Sequence, residues 1–457
     1  MIEEAKVVLQ LLHKRGFQAY YIGGKCRVEL HNQFHPDEKL EMKDIDIVTN
    51  APNEKVKELF PNSDERGEAF KVVVVKFGGA EFEVVTYRKD IYDMEAVKDS
   101  KKIVRPEVET AQSLDDDRAR RDFTINTIAQ DIEGNYIDYV YTYRNKKISA
   151  LKDIKEGVIR AVGNPKQRFE EDPLRILRLF RFLSQMGYEI EKQTLKAVVS
   201  NIKLIEKVPH ERLGMEMNKL LAGRYASTAL MMMRKIGFFD LNISNGITGK
   251  ATQFLPGLKE LTDEYLNILD IFNANNMSAA TLELWTLLLK PLGREKAREN
   301  LESFYPVSKD DIERIEWMID NFMIIESDDM RNTIYEARTG IVKRLGLPCM
   351  KELLKHIGHI HVTLYQDEDH KEKSRLMMDA FCMRPYFPGQ LKVTGEQMME
   401  MANEGPGPWI SNAKEKLLQK LINTKKFPKE EEDYMSLARE AVEEAIFERA
   451  FEEAGLK

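Results

Sequence analysis

Lys43–Asn50 reads KDIDIVTN, with two aspartates two positions apart and isoleucines between and after them. In an extended strand, residues i and i+2 point to one side, so Asp44 and Asp46 project together while Ile45 and Ile47 face the other way. Two carboxylates held that close repel unless a cation or a shared proton lies between them. Oxygen donors of this kind suit Mg²⁺, which is commonly held by one or two carboxylates together with substrate phosphates. A third acid on a neighbouring strand would complete a site for in-line phosphoryl transfer. Glu83 in EFEVV fits that role, and Glu81 shares its face. Upstream, Gly23-Gly24 follows a strand-like AYYI; paired glycines let backbone N–H groups approach a phosphate, and Arg27 just beyond can neutralise it.

Two further segments carry dense chemistry. RRDFTIN (Arg120–Asn126) sets two guanidiniums, the Asp122 carboxylate and the Asn126 amide beside an apolar anchor. Arginine forks suit phosphate oxygens, and an amide can meet a ribose hydroxyl. The same residues could equally form an Asp–Arg network at a helix start, with Asp117 taking part. In RFEEDPLRILR (Arg168–Arg178), Pro173 favours a first helical turn and Asp172 is placed to cap it. Arg175, Arg178 and Arg181 then follow at intervals of three. Like charges so spaced disfavour a helix unless an anion lies against them.

GGxxR, DIDIVT, RRDFTIN and RFEEDPLRILR occur here in that order, and together they resemble the class II tRNA nucleotidyltransferase and bacterial poly(A) polymerase family. The similarity runs through roughly the first 240 residues and resumes in Leu391–Asn423, which is similar to the tail of the CCA-adding branch. The resemblance implies catalytic Asp44, Asp46 and Glu83, with the metal, Mg²⁺, on Asp44 and Asp46. It implies nucleotide binding by Gly23, Gly24, Arg27, Arg121, Asp122, Asn126, Asp172, Arg175, Arg178 and Arg181. Asp172 and Arg175 would bond the Watson–Crick edge of cytosine or adenine, each of which carries an exocyclic amine, and Arg178 would reach the triphosphate. A site built around that amine rejects uracil and guanine, whose carbonyl leaves buried polar groups unpaired. The implied substrates are CTP, ATP and the tRNA 3′ end, and the implied activity is CCA addition. Poly(A) polymerase, CC-only or A-only addition, and a non-catalytic RNA-binding scaffold are the alternatives. ERGEAF stands where the poly(A) branch tends to carry a basic segment. Val28 replaces the Asp usual after the GGxxR arginine, and HNQFHPDEKLEM lengthens the link to the paired aspartates.

The elements that must position these groups fall into two grammars. Up to about residue 150, helical and strand patterns alternate. Residues 2–15 have helical period and stop at Gly16, NEKVKELF is helical, and FKVVVVKF and AEFEVVTYR form a hairpin about Gly78-Gly79. NYIDYVYTYR is expected to add a strand, and residues 89–112 to form a long polar loop, a segment that the resemblance implies helps switch the pocket from C to A. From about residue 168 Leu, Met, Glu and Lys recur at spacings of three and four, prolines punctuate, and no strand is expected. The expected fold is therefore an α/β nucleotidyltransferase head, a small mixed β-sheet with helices, followed by an all-α neck, body and tail. Its divisions are 1–150 head, 151–218 neck, 219–300 body and 301–457 tail.

Bulk properties agree with this division. The chain has 457 residues, too many for one core, and is 43% hydrophobic and 32% charged. Its net charge of −7 does not exclude RNA, because the placement of Lys and Arg decides binding and the last thirty residues are strongly acidic. Three cysteines without CxxC spacing argue against a disulfide or zinc framework. The acidic, amphipathic N-terminus and the lack of a membrane-length apolar run lead to a cytoplasmic expectation. His356, His359 and His361 lack an acidic partner in a recognisable pattern and read as packing or surface residues. Met231–Met233 read as core, and Lys414, Lys416, Lys420, Lys425 and Lys426 as a solvated face with RNA backbone as the other possibility.

Overall fold

The computed structural model describes residues 1–67, 72–100, 103–244, 251–276, 279–304, 308–382, 388–423 and 431–453. Two compact units emerge: Met1–Ala274 with Glu299–Pro306, and Asn275–Arg298 with Val307–Lys457.

The first unit opens with helix α1 (Ile2–Lys14), which buries Ala5, Val8, Leu9 and Leu12 along one stripe and ends before Gly16 at φ +83. Strand β1 (Ala19–Ile22) leads through Gly23 into α2 (Gly24–Phe34), then β2 (Asp46–Thr49) and α3 (Asn53–Leu59) follow. Next come β3 (Ser63–Arg66), β4 (Val72–Phe77) and β5 (Ala80–Thr86). The turn between β4 and β5 is Gly78-Gly79, both at positive φ, the conformation a two-residue hairpin loop needs. Then β6 (Arg88–Ile91), α4 (Met94–Asp99), β7 (Glu107–Thr110), α5 (Leu114–Ala119), β8 (Ala129–Gln130) and β9 (Tyr136–Ile137) complete the head. Seven strands form one mixed sheet in the order β3-β4-β5-β2-β1-β8-β9, in which β2 and β5 run parallel and the other neighbours antiparallel.

The helical part of this unit begins with α6 (Ala150–Lys155), α7 (Pro165–Glu171), α8 (Leu174–Met186), α9 (Lys192–Asn201) and α10 (His210–Leu221). Helix α8 is the central rod: Ile176, Leu177, Leu179, Phe180 and Phe182 are all buried. It packs against α10 and the helix Ala226–Lys235. Gly187 ends it at φ +67, where an added Cβ would come within 2.7 Å of the Tyr225 ring.

Three expectations are corrected. The 89–112 segment is not a featureless loop, since β6 and β7 pair as an antiparallel ribbon with α4 between them. NYIDYVYTYR is divided: Tyr136–Ile137 joins the main sheet, while Val140–Tyr143 pairs with Lys146–Ser149 across Arg144-Asn145, both at positive φ. The helical region also holds strands, because Glu189–Ile190 pairs with Val158–Ile159 and Asn242–Ser244 with Ala251–Gln253. Strands of two or three residues are too short to leave an alternation in the sequence.

The second unit is helical, including Thr281–Leu289, Lys309–Asp320, Met330–Tyr365, Glu368–Cys382, Trp409–Asn423 and Glu431–Glu453. Met330–Tyr365 is broken at Gly346, φ +81, just before Pro348. Trp285 is fully buried, and Met398, Trp409, Leu417, Leu421 and Tyr434 build a core near the C-terminus. No helix among the described residues is long and apolar enough to cross a membrane. Cys26 and Cys349 are buried free thiols and Cys382 an exposed one.

Candidate active site

The carboxylates are placed by the sheet. Asp46 opens β2, opposite Ile22 of β1 on one side and Glu83 of β5 on the other. Ile45 and Ile47 are buried while Asp44 is exposed and Asp46 partly so, which preserves the alternation expected from DIDI. The regular strand nevertheless begins only at Asp46, so Asp44 precedes it rather than belonging to it. Burial, reinforced by Asp44 and opposed by Arg121, pushes the Asp46 pKa upward. Partial burial, then the charges of Asp46 and Asp44, raise that of Glu83. These acids therefore feel one another, and no described residue forms an ion pair with Asp44, Asp46 or Glu83. Glu81 is engaged by Arg66 at 3.2 Å, which singles out Glu83 as the acid facing Asp46. An all-oxygen set of mutually repelling carboxylates fits a hard divalent cation.

Beside them lies a helix start. Gly23 has φ +74, and a Cβ there would sit 3.1 Å from Asp46 Oδ2 and 3.8 Å from an Arg121 guanidinium nitrogen. Only glycine fits that position. Gly24 begins the eleven-residue α2; its backbone N–H meets the Asp46 carboxylate, and the dipole of the helix start favours an anion. Arg121 is aimed by Asp117, whose second oxygen accepts from Arg121 at 3.1 and 3.2 Å and whose first takes Arg120 at 2.6 Å.

Asp122 is the hub of the next layer. Its carboxylate accepts from Asn126 Nδ2 at 2.8 Å, from the Phe123 amide at 2.8 Å and from Arg178 at 2.6 and 2.8 Å. Burial works to raise its pKa, but Arg178 and these hydrogen bonds outweigh that and hold it well below the ordinary range. Asn126 Oδ1 in turn accepts from Arg27. Arg181 pairs with Glu216 at 2.8 Å, and Arg178 lies 3.5 Å from the other oxygen of the same carboxylate. The guanidiniums of Arg27, Arg178 and Arg181 all lie against the buried Phe182 ring, at 4.8, 5.6 and 4.3 Å from its centroid. The anions that make the arginine-rich α8 tolerable thus include the protein's own Asp122 and Glu216.

Asp172 caps α8 as its sequence suggests: its carboxylate accepts from the Leu174 amide at 3.2 Å and its carbonyl from the Arg175 amide at 3.0 Å. The remaining carboxylate oxygen takes Arg212 at 3.1 Å. Arg175 is buried, donating to Glu171 at 2.9 Å and to the carbonyls of Arg168 and Arg120 at 3.0 and 2.8 Å. The two side chains are neighbours in one turn without bonding to each other. Glu171, Arg212 and Glu216 escaped the sequence reading. The only signal for the last two was their spacing of four on α10, which places them on one helix face.

A seven-stranded mixed sheet carrying clustered carboxylates beside a glycine-led helix, followed by helices, defines a nucleotidyltransferase head with a helical extension. A family described as the poly A polymerase head domain matches residues 19–160, and one described as a probable RNA and SrmB-binding site of polymerase A matches 187–242. The CCA-adding enzyme of Geobacillus thermodenitrificans is 29% identical over 426 residues, covering 92% of this chain and 93% of the relative. That of Lactobacillus helveticus is 34% identical over 289 residues, covering 63% and 62%. The crystal structure of the Bacillus stearothermophilus CCA-adding enzyme in complex with CTP superposes with a TM-score of 0.71 at 24% identity, covering 95% of this chain and 96% of that one. The chain belongs to the class II tRNA nucleotidyltransferase and poly(A) polymerase family. Chemistry in this family is metal-dependent.

Proposed function

We propose that this protein adds CCA to the 3′ end of tRNA, taking CTP and ATP and using Mg²⁺. The observation that carries the reading is the row Ile22–Asp46–Glu83, which sets clustered carboxylates, without an ion pair among the described residues, directly beside the Gly23-Gly24 helix start. Asp44 and Asp46, with Glu83, would hold the cation, which when bound would lower the cost of ionising the tRNA 3′-hydroxyl and offset charge on the triphosphate. The 3′-oxygen attacks the α-phosphorus, the bond to the β-phosphate oxygen breaks, and pyrophosphate leaves. The N–H groups at Gly23-Gly24, with Arg121, receive the phosphates, and Asn126, held between Arg27 and Asp122, meets the ribose. Asp172 and Arg175 read the amine-bearing edge of C or A. Base binding then exchanges their bonds to Arg212 and Glu171 for bonds to the nucleobase. Arg178 and Arg181 serve chiefly as a charged wall whose position Asp122 and Glu216 fix. Residues 1–150 act as head, 151–218 as neck, 219–300 as body and 301–457 as tail, the helical parts gripping tRNA by shape and backbone contacts.

Poly(A) synthesis is the second reading, favoured by the head match. The ERGEAF segment that bears on it lies partly outside the described residues, as do Lys425 and Lys426. Lys416 and Lys420 are occupied by Glu448 and Glu444, each at 2.7 Å. The test is primer extension on tRNA transcripts ending at the discriminator base, at C and at CC, with CTP, ATP or both. Growth that stops at CCA is expected. Long A tails would assign a poly(A) polymerase, C-only or A-only growth a partial enzyme, and no growth would leave an RNA-binding scaffold.

A further inference from the structure

Away from the nucleotide site, the second unit holds a cluster that the head chemistry does not use. Glu326 ends the 3₁₀ turn Phe322–Glu326, His361 lies near the end of Met330–Tyr365, and His370 sits in the first turn of Glu368–Cys382. One ligand atom from each lies within 4.8 Å of the others. HIGHIHV showed no acid in the sequence; folding supplies one from thirty-five positions upstream of His361.

The ring nitrogens are set up for ligation. His361 is 1% exposed and its Nε2–H donates to the Phe322 carbonyl at 3.1 Å, which leaves Nδ1 as the lone-pair nitrogen. That Nδ1 is buried without a hydrogen-bond partner and stands 3.9 Å from Glu326 Oε1. A buried acceptor left unmatched costs about 1–3 kcal/mol, so its retention calls for an explanation. His370 Nδ1 faces the Asp367 carboxylate at 2.8 Å, which turns Nε2 toward Glu326 Oε1 at 3.2 Å. Metal-ligating histidines usually have their other nitrogen held in this way, by a carbonyl or a carboxylate. Glu326 also uses its oxygens separately: Oε2 binds Lys373 at 2.6 Å while Oε1 faces both histidines. The rings are held by packing, with Phe322 4.7 Å from His361 and Tyr365 stacked 4.0 Å from His370.

We propose that Glu326, His361 and His370 form a transition-metal site of the zinc class, with an open fourth position. Tetrahedral zinc with ligands at about 2.0–2.1 Å spaces its donors roughly 3.3 Å apart, which the 3.2 Å between His370 and Glu326 matches and the 3.9 Å between His361 and Glu326 exceeds by a fraction of an ångström. Two imidazoles and one carboxylate favour zinc, cobalt or nickel over magnesium. The ion would clasp the 3₁₀ turn to both helices of the following hairpin. The alternative is a metal-free ion-pair network in which His370 bridges Asp367 and Glu326.

Full-length protein, stripped with a chelator, is titrated with Co²⁺ in excess Mg²⁺, which occupies the head carboxylates. The expected result is one Co²⁺ per chain, with the intense visible band of four-coordinate cobalt, displaced by Zn²⁺. Glu326→Gln and His370→Gln, at partly exposed positions, should fold normally by circular dichroism and lose affinity by more than the roughly tenfold to hundredfold that removal of an outer-shell partner costs. His356→Gln, whose ring instead bonds Glu283, should bind as the unaltered chain does. Absence of the band in the unaltered protein, or equal binding in all four proteins, would overturn the proposal in favour of the ion-pair network.

Discussion

Asp44, Asp46 and Glu83 stand together without an ion pair among the described residues, whereas Arg178 and Arg181 on α8 each meet a carboxylate of their own chain. On the acidic side burial and mutual repulsion push Asp46 and Glu83 upward, outweighing the opposing charges of Arg121 and Arg27 on Asp46. The arginine side is internally neutralised, with Asp122 held far down by Arg178. A cation can therefore gain most where the protein offers it uncompensated charge. The arginines are instead a fixed surface whose geometry is secured before substrate arrives. The acidic side carries function at a cost to stability, and the arginine side carries both.

Substitutions can break this contrast. Asp44→Ala or Asp46→Asn should lower nucleotide addition by roughly a thousandfold or more, read by single-turnover extension, because a ligand to the reacting centre is lost. The same Asp46→Asn change should leave the urea midpoint unchanged or raise it, since it removes a repelled carboxylate. Across the pocket, Arg178→Met should cost about 3–5 kcal/mol in urea unfolding by leaving Asp122 buried and unpaired, and Arg178→Met with Asp122→Asn should recover part of that loss. A comparable stability loss in Asp46→Asn would erase the distinction between the two sides.

Acid titration sharpens the same point. Asp122 has a folded pKa well below its ordinary 3.8, so its stabilisation is fully present above that value and is lost as pH falls through the depressed folded pKa. Asp122→Asn should therefore flatten the acid limb of the stability–pH curve, measured by chemical denaturation between neutral pH and pH 2. Gly23→Ala should cost about 1–3 kcal/mol through its positive φ and crowd Asp46 Oδ2, raising KM for CTP and ATP. Smallest of all, Glu81→Gln should change activity less than twofold, because Glu81 is spent on an exposed pair with Arg66, whereas Glu83→Gln should lower activity at least tenfold. Equal losses at Glu81 and Glu83 would contradict the assignment drawn from the strand register.

The parts of this architecture that were legible in the sequence are those written locally. The alternation in DIDI, the Gly78-Gly79 turn, the apolar stripe of α1 and the capping by Asp172 each depend on residues within a few positions of one another. The register that places Glu83 opposite Asp46 depends on strand pairing, so the sequence favours Glu83 with Glu81 on the same face, and the fold separates the two. The bond between Arg178 and Asp122, fifty-six residues before it, has no local signal in the sequence. Glu216 and Arg212 were invisible for the same reason, since their partners lie on α8 and at the Asp172 cap before it. The β6–β7 ribbon was missed because Arg88–Ile91 and Glu107–Thr110 are polar and carry almost no burial pattern.

The row Ile22–Asp46–Glu83 also acts as a ruler. Neighbouring strands are spaced by their hydrogen bonds at about 4.7–4.9 Å, and that interval is a constant of the backbone rather than of any side chain. Asp46 and Glu83 are therefore mounted on a scale that cannot stretch, while Asp44, just ahead of the ladder, is the one acid whose backbone is not tied into it. A larger ion such as Ca²⁺ would be met by rotation of the side chains and by movement at Asp44, while the backbone interval between Asp46 and Glu83 stays as it is.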